Sequence, residues 1–528
     1  MKKFYLLYFF LFVIIHHTTM GQNPGVSYFQ QEIPQKANKE FQFLAFFINQ
    51  GVTSNFYPTN EFLRGQVVGR LFGANSTTTS DTATSMYVEQ RIIPFFIYQP
   101  SLFDGKAILR VSMEIDWTWG DASYGVGGNL GSAISADQVN IQTQNVELEL
   151  LPWKGWAINL GLQRMFDTPY NPYRTLFDKM ANSGYRLSYF GTDAVGVTVR
   201  HDRDFGRYKF GFFKFYENDI FRDDDVNMFE FMADRSISPL WKVGASVNYV
   251  RDRSAGKGGV SILGQGLNSL LNDHNGTFKF KFGPNPYKAD IVWLGTFFSR
   301  NLDMMADPFS LSGFFNYNLG SADVLKSADW EKAADIGGFA ANLKAMYRYG
   351  QTTDDHVKVD LIYTSGDEDG LLDKKYSGVM TANTWGAPGA IFISSGAYIL
   401  MPHGNVVNRY TPAVADLSNM GYGLSAATMT LSKGIVPYRL IARVGGALAF
   451  SNTEPLAGGK HIGTEANMAL IYNIGTYMSL EWHTAHMWLG KFYDSADDRF
   501  SAAVNGGKYG ERPVNPWTSF LVMKWLMF

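Results

Sequence analysis

The chain has 528 residues, with 46 Lys+Arg against 48 Asp+Glu, 18% charged and 15% aromatic residues, 53 Gly and no Cys. That balance excludes a nucleic-acid binder driven by bulk charge, a disordered chain, a disulfide scaffold, a thiolate metal site and a cysteine nucleophile. A mean hydropathy of −0.13 excludes a bundle of membrane helices, whereas a barrel with one lipid-facing and one wet face requires an aromatic- and Gly-rich chain of middling polarity.

Residues 1–21 read as a secretory signal. Lys2 and Lys3 precede the apolar run Phe4 to Ile15, which at ~1.5 Å per residue is too short for a ~30 Å hydrocarbon core. Thr19 and Gly21 fit the small positions before a cleavage site. Residues 22–38 are then a short periplasmic segment, and 39–528 a single barrel domain. Without Lys2 and Lys3 the balance is 44 basic to 48 acidic groups, a net charge of −4.

From residue 41 onward, runs of about ten residues alternate apolar and polar side chains, as barrel strands do. In chain order they lie near 41–49, 61–73, 86–98, 106–119, 139–151, 156–164, 193–200, 207–216, 228–235, 241–251, 278–282, 289–299, 309–318, 339–349, 357–363, 390–401, 424–432, 439–450, 465–472, 476–488 and 516–528. In the clearest, Ala107, Leu109, Val111, Met113, Ile115, Trp117 and Trp119 share one face, and Arg110, Ser112, Glu114, Asp116 and Thr118 the other. The run at 139–151 changes phase near Asn145, which reads as a bulge. Some of the 21 runs are one strand read twice. The fold expected is all-β: a closed antiparallel transmembrane barrel of roughly 18 strands, with 16 and 20 as alternatives, long extracellular loops and short periplasmic turns.

The polar faces of the eight best-phased runs carry Arg64, Arg70, Lys106, Arg110, Lys242, Lys279, Lys281, Lys344, Arg348, Lys358, Arg439 and Arg443 against Glu114, Asp116, Asp360 and Glu465. Such a basic inner wall would favour anions. The weaker runs add Glu147, Glu149, Glu230, Asp234, Asp290 and Glu481 and pull the balance toward neutrality. Trp117, Trp119, Trp241, Trp293, Trp482 and Trp525 are expected to point outward as interfacial girdles.

Between the runs, 174–185 and 259–275 could each hold a short helix. Two loops are acidic, one with Asp219, Asp223, Asp224 and Asp225, the other with Asp367, Glu368, Asp369 and Asp373. Oxygen clusters suit calcium, with Asp223, Asp225, Asp367 and Asp369 the candidates, but neither has EF-hand spacing, and a solvated acidic loop is the preferred reading. No other metal and no cofactor is expected. There is no G-x-S-x-G or H-E-x-x-H motif, and His483 and His486, three apart on a strand, fall on opposite faces. No enzyme activity is expected.

The last run ends on Phe528, and a terminal aromatic on a final strand resembles the recognition signal of Gram-negative outer-membrane barrels. Phe520, Val522, Leu526 and Phe528 share a parity that Lys524 interrupts. Ile158-Asn-Leu-Gly-Leu-Gln-Arg164, an excursion, and Ser188-Tyr-Phe-Gly-Thr-Asp-Ala-Val-Gly-Val-Thr-Val199 look like a strand, loop and returning strand of large outer-membrane porins of the alginate-export type. The resemblance implies a channel with a basic lumen that passes acidic polysaccharide or other anions. The function expected is therefore an outer-membrane channel for small hydrophilic solutes or acidic saccharides. Its partners would be outer-membrane lipid, the solutes themselves and, during biogenesis, the barrel-assembly machinery. The alternatives are a receptor, adhesion or secretion-partner barrel without an open pore and, ranked last, an outer-membrane hydrolase.

Overall fold

Segments that alternate apolar and polar residues over most of a chain satisfy their backbone only by pairing edge to edge, and pairing leaves two open edges unless the sheet closes. The computed structural model describes residues 40–58, 69–71, 75–119, 140–164, 193–216, 223–255, 285–302, 304, 306–380, 396–401, 417, 419–495 and 512–527. Its barrel strands are β1 (Phe41–Ser54), β2 (Ser85–Tyr98), β3 (Ala107–Trp119), β4 (Asn140–Leu150), β5 (Trp156–Arg164), β6 (Asp193–Arg203), β7 (Gly206–Tyr216), β8 (Val226–Ser236), β9 (Trp241–Asp252), β10 (Tyr287–Arg300), β11 (Phe309–Lys326), β12 (Asp329–Arg348), β13 (His356–Thr364), β14 (Leu424–Val436), β15 (Leu440–Phe450), β16 (His461–Gly475), β17 (Met478–Leu489) and β18 (Trp517–Met527). Each pairs antiparallel with the next, and β18 pairs with β1, so the 18 strands close on themselves.

Among the described residues, two of the sequence runs are not barrel strands. Gly69–Leu71 pairs with Asn75–Thr79, which also pairs with Phe56–Pro58, in a separate three-stranded sheet between β1 and β2. The described part of 390–401 is a buried strap of bends, Gly396 to Met401, inside the barrel. The run at 278–282, the leader, the 22–38 segment and both candidate loop helices lie outside the described residues. The phase change near Asn145 is a bulge: opposite it, Ser112 pairs with Asn145 but Met113 pairs with Thr143. Next to it Gly161 has φ +111, and a Cβ there would strike the Val146 carbonyl.

One face of the sheet exposes Leu109, Val197, Phe210, Phe229, Leu294, Phe315, Leu343, Leu361, Leu431, Val444, Leu470, Leu480 and Leu521. A soluble protein rarely exposes a contiguous apolar patch beyond a few hundred Å², whereas a spanning barrel needs such a belt all round. Connections alternate in length. Short turns at 99–106, 151–155, 204–205, 237–240, 301–308, 349–355, 437–439 and 476–477 share one rim with Phe41 and Met527, and the long connections lie on the other. The β11–β12 hairpin is the exception on the long-loop rim. Its strands of 18 and 20 residues reach about 60 Å at ~3.3 Å per residue, roughly twice the apolar band, so its tip stands clear of the rim.

The inner face is mainly polar from β3 to β6 and partly apolar from β7 to β18, where Phe213, Phe215, Val226, Met228 and Val250 already join an inward apolar cluster. Inward alanines 426, 447, 449, 469 and 485 leave room for the strap, and Ala397, Tyr398, Ile399, Leu400 and Met401 pack among them. Ile399 and Leu400 are fully buried, worth about 1.5–3 kcal/mol each. A second cluster joins Met380 to the inward Trp293, Ile291 and Ala289 of β10.

Candidate functional site in the barrel lumen

Alternation fixes which charges enter the lumen, and antiparallel register fixes which of them meet. On β3 to β6, Arg110 Nη2 lies 2.9 Å from Glu149 Oε1, and its Nη1 lies 3.6 Å from Glu147. Arg200 joins Glu149 at 3.3 Å and Asp202 at 2.9 Å, and Arg207 of β7 closes the chain on Asp202. Asn159 donates to Glu147 and, at 3.0 Å, to Glu149. Further round, Lys209 meets Glu230 at 2.9 Å and Lys242 meets Asp234 at 2.5 Å. Half of the lumenal wall is thus internally neutralised.

The opposite wall differs. One row of cross-strand partners runs Arg348–His356–Ser432–Arg443–Ala469–His483–Phe520 across β12 to β18. Lys358, the next inward position of β13, and Lys344 on β12 lie toward the long-loop rim from this row, and Lys524 projects inward on β18. Arg443 Nε donates to Ser432 Oγ at 3.3 Å. Its charge is felt at His356, Lys358, Tyr398, His483 and Lys524, and at Asp354 in the 349–355 turn. The acids on these strands have donors of their own. Asp360 accepts Asn342 at 2.7 Å and faces Lys344 at 3.4 Å. Glu481 accepts Ser479 at 2.8 Å, His483 at 2.9 Å and Lys524 at 2.8 Å. Glu465 is taken up by the strap. The result is an arc of basic side chains, Arg348, Lys358 and Arg443, next to the strap, where Tyr398 lies edge-on to His483 at 5.3 Å and His483 stacks on Phe520 at 4.8 Å.

Of the basic residues chosen from sequence, Arg110, Lys242, Lys344, Arg348, Lys358 and Arg443 lie on inward faces. Lys106 and Arg439 do not; both sit exposed in short turns just outside the strands. Arg70 lies in the small separate sheet, and Arg64, Lys279 and Lys281 lie outside the described residues. Glu147, Glu149, Glu230, Asp234 and Glu481 also face inward, so the wall is mixed, not uniformly basic. Arg91, Arg200, Lys209, His356, His483 and Lys524 were missed. The clean alternation of Thr198, Arg200 and Asp202 with Val195, Val197 and Val199 could have revealed Arg200.

Trp482 and Trp525 are exposed outward, and Trp241 shares the outward parity with its ring 6.2 Å from Phe298. Trp293 is a correction: it points inward, 2% exposed, and donates its indole N–H to the Met380 carbonyl at 2.8 Å. The Trp117 and Trp119 side chains lie outside the described residues. The parity of Phe520, Val522 and Leu526 is also the inner one, so Lys524 does not interrupt a lipid face but reaches Glu481.

Three of the four calcium candidates are otherwise engaged. Asp223 pairs with Arg251 at 3.1 Å and Asp225 with Lys214 at 2.6 Å. Asp367 accepts the Ser377 N–H at 2.8 Å, and Asp369 is exposed. No acid or His cluster able to hold a metal occurs among the described residues. For hydrolysis, Ser479 donates to Glu481 rather than to His483, so these three residues do not form a nucleophile–base pair.

No protein-family model and no curated protein matches the chain. Among solved structures it is similar to Pseudomonas aeruginosa OpdQ at 10% identity and TM-score 0.44, covering 92% of this chain and 98% of that one. It is similar to Acinetobacter baumannii OccAB4 at 10% identity and TM-score 0.45, covering 94% and 99%. It is also similar to Pseudomonas aeruginosa OccK2 (OpdF), solved in complex with glucuronate, at 10% identity and TM-score 0.46, covering 92% and 98%.

Proposed function

We propose that this protein is an outer-membrane channel for small hydrophilic solutes and that its lumen prefers anions, acidic saccharides among them. The observation that carries the reading is the arc around Arg443. Arg348 and Arg443 lie on one cross-strand row, Lys358 lies at the next inward position of β13, and the neighbouring acids Asp360, Glu481 and Glu465 already accept named donors. In a low-dielectric lumen such an arc raises the local anion concentration by an order of magnitude or more. The leader, the lipid-facing belt and the terminal strand support export to an outer membrane and insertion there by barrel-assembly machinery. The resemblance to alginate-export porins extends the solute class to acidic polysaccharide.

Liposome swelling with glucose, glucuronate and glucosamine tests the solute class. Glucuronate should enter fastest, and Arg443→Gln should remove that advantage while leaving glucose unchanged. Equal rates for all three would overturn the preference. Tyr422, Phe492 and Tyr493, all fully buried with the strap, favour a second reading, a barrel without an open pore. Absence of any conductance would establish it.

A further inference from the structure

Most inward acids among the described residues, Glu147, Glu149, Asp202, Glu230, Asp234, Asp360 and Glu481, face a Lys or Arg, and Asp252 instead accepts the N–H and hydroxyl of Ser254. Glu465 does not follow that pattern; amide groups surround its carboxylate. Oε1 accepts the main-chain N–H of Tyr398 at 2.6 Å, and Oε2 accepts those of Ile399 and Leu400 at 2.9 and 2.7 Å. Asn467 Nδ2 donates to Glu465 Oε1 at 2.8 Å and to the Gly396 carbonyl at 3.0 Å, tying the same carboxylate to the start of the strap. Glu465 is 1% exposed.

Three successive main-chain N–H groups converging on one point form an anion-binding concavity. Here the wall strand β16 supplies the anion. Among the described residues the strap makes no ladder pairing with the barrel; Glu465 takes three of its successive main-chain N–H groups and Asn467 holds its Gly396 carbonyl, and its apolar residues rest against the inward alanines. Removing the acceptor would leave three buried N–H groups unsatisfied, which favours displacement of the strap into water.

We propose that Tyr398, Ile399 and Leu400 form an internal carboxylate site occupied by the chain's own Glu465, and that this contact is the latch that keeps the strap seated in the lumen. The ligand class is a small carboxylate, so formate or acetate can replace the Glu465 side chain once it is removed. The effect on current rests on the channel reading; the latch itself does not.

The chain has no Cys, so Ile399→Cys gives a single thiol on the strap. In detergent-folded protein with otherwise native sequence, that thiol should react slowly with a water-soluble maleimide. Adding Glu465→Ala should speed labelling at least ~10-fold, equivalent to ~1.4 kcal/mol, and millimolar formate should slow it again. Glu465→Gln, which fills the space but presents an amide, should label fast and resist formate. Glu230→Gln, on the far wall beside Lys209, should label like the parent. Heat-modifiable gel mobility confirms a closed barrel in each variant, and the Gln variant serves if the Ala variant does not fold. Unchanged labelling in Glu465→Ala or Glu465→Gln, or fast labelling of Glu465→Ala that formate does not slow, would overturn the latch. In planar bilayers the same variants should raise the current. A silent wild type with a formate-sensitive labelling pattern would refute the channel reading and leave the latch standing.

Discussion

At the scale of single residues, the facing of a tryptophan sets what its loss does. Trp293 fills a buried space and bonds Met380, so Trp293→Ala should destabilise the folded barrel by about 3–5 kcal/mol in urea titrations. Trp482→Ala, on the outer face, should cost less and vary with bilayer composition. Equal costs would contradict the inward assignment. Arg110 separates two buried carboxylates. Arg110→Met alone should cost about 3–5 kcal/mol, because it leaves buried charge unpaired, and adding Glu149→Gln should recover part of that loss in a double-mutant cycle. Asp354 gives the pH dependence. Burial raises its pKa, Arg443 opposes the rise and Asp355 adds to it. Its negative charge beside Arg443 is therefore lost above the ordinary aspartate value of ~3.9 as pH falls. Anion preference should strengthen on acidification, and Asp354→Asn should strengthen it already at neutral pH.

At the scale of elements, a strand was legible where its inner face stayed polar. β3, β9 and β13 show clean alternation because Arg110, Lys242 and Asp360 face the lumen opposite Leu109, Val247 and Leu361. β10 and β18 were ambiguous because their inner faces are apolar as well. Ala289, Ile291 and Trp293 meet the Met380 cluster, and Phe520 meets Tyr398 and His483. The same cause made the strap look like a strand, since it is apolar but buried in the lumen instead of in lipid. A latch such as Glu465 to three amides has no sequence signature, because it depends on a contact between residues some 65 positions apart. Outside the strands, Arg512 holds Asp494 bidentately at 2.8 and 2.7 Å and, with some opposition from burial, keeps its carboxyl below the ordinary range. That contribution is present above the unfolded value of ~3.9 and is lost as pH falls through the lowered folded value. Amide exchange in 490–495 should quicken in acid, and Arg512→Met should abolish the pH dependence. The pair is partly exposed, so the gain is below about 1 kcal/mol.

At the scale of the whole molecule, closure follows from alternation sustained over the chain, and the two faces of the closed sheet then separate lipid contact from charge. Facing follows from parity, but net lumenal charge does not, because strands of weak phase carry most of the inner acids. Ion selectivity therefore depends on whether the arc around Arg443 outweighs the neutralised wall opposite it. Reversal potential across a planar bilayer in a KCl gradient measures that directly. The predicted result is a chloride-selective potential that shrinks toward zero when Arg348, Lys358 and Arg443 are replaced together by Gln or Met. A potassium-selective potential, or a chloride preference untouched by those substitutions, would contradict it.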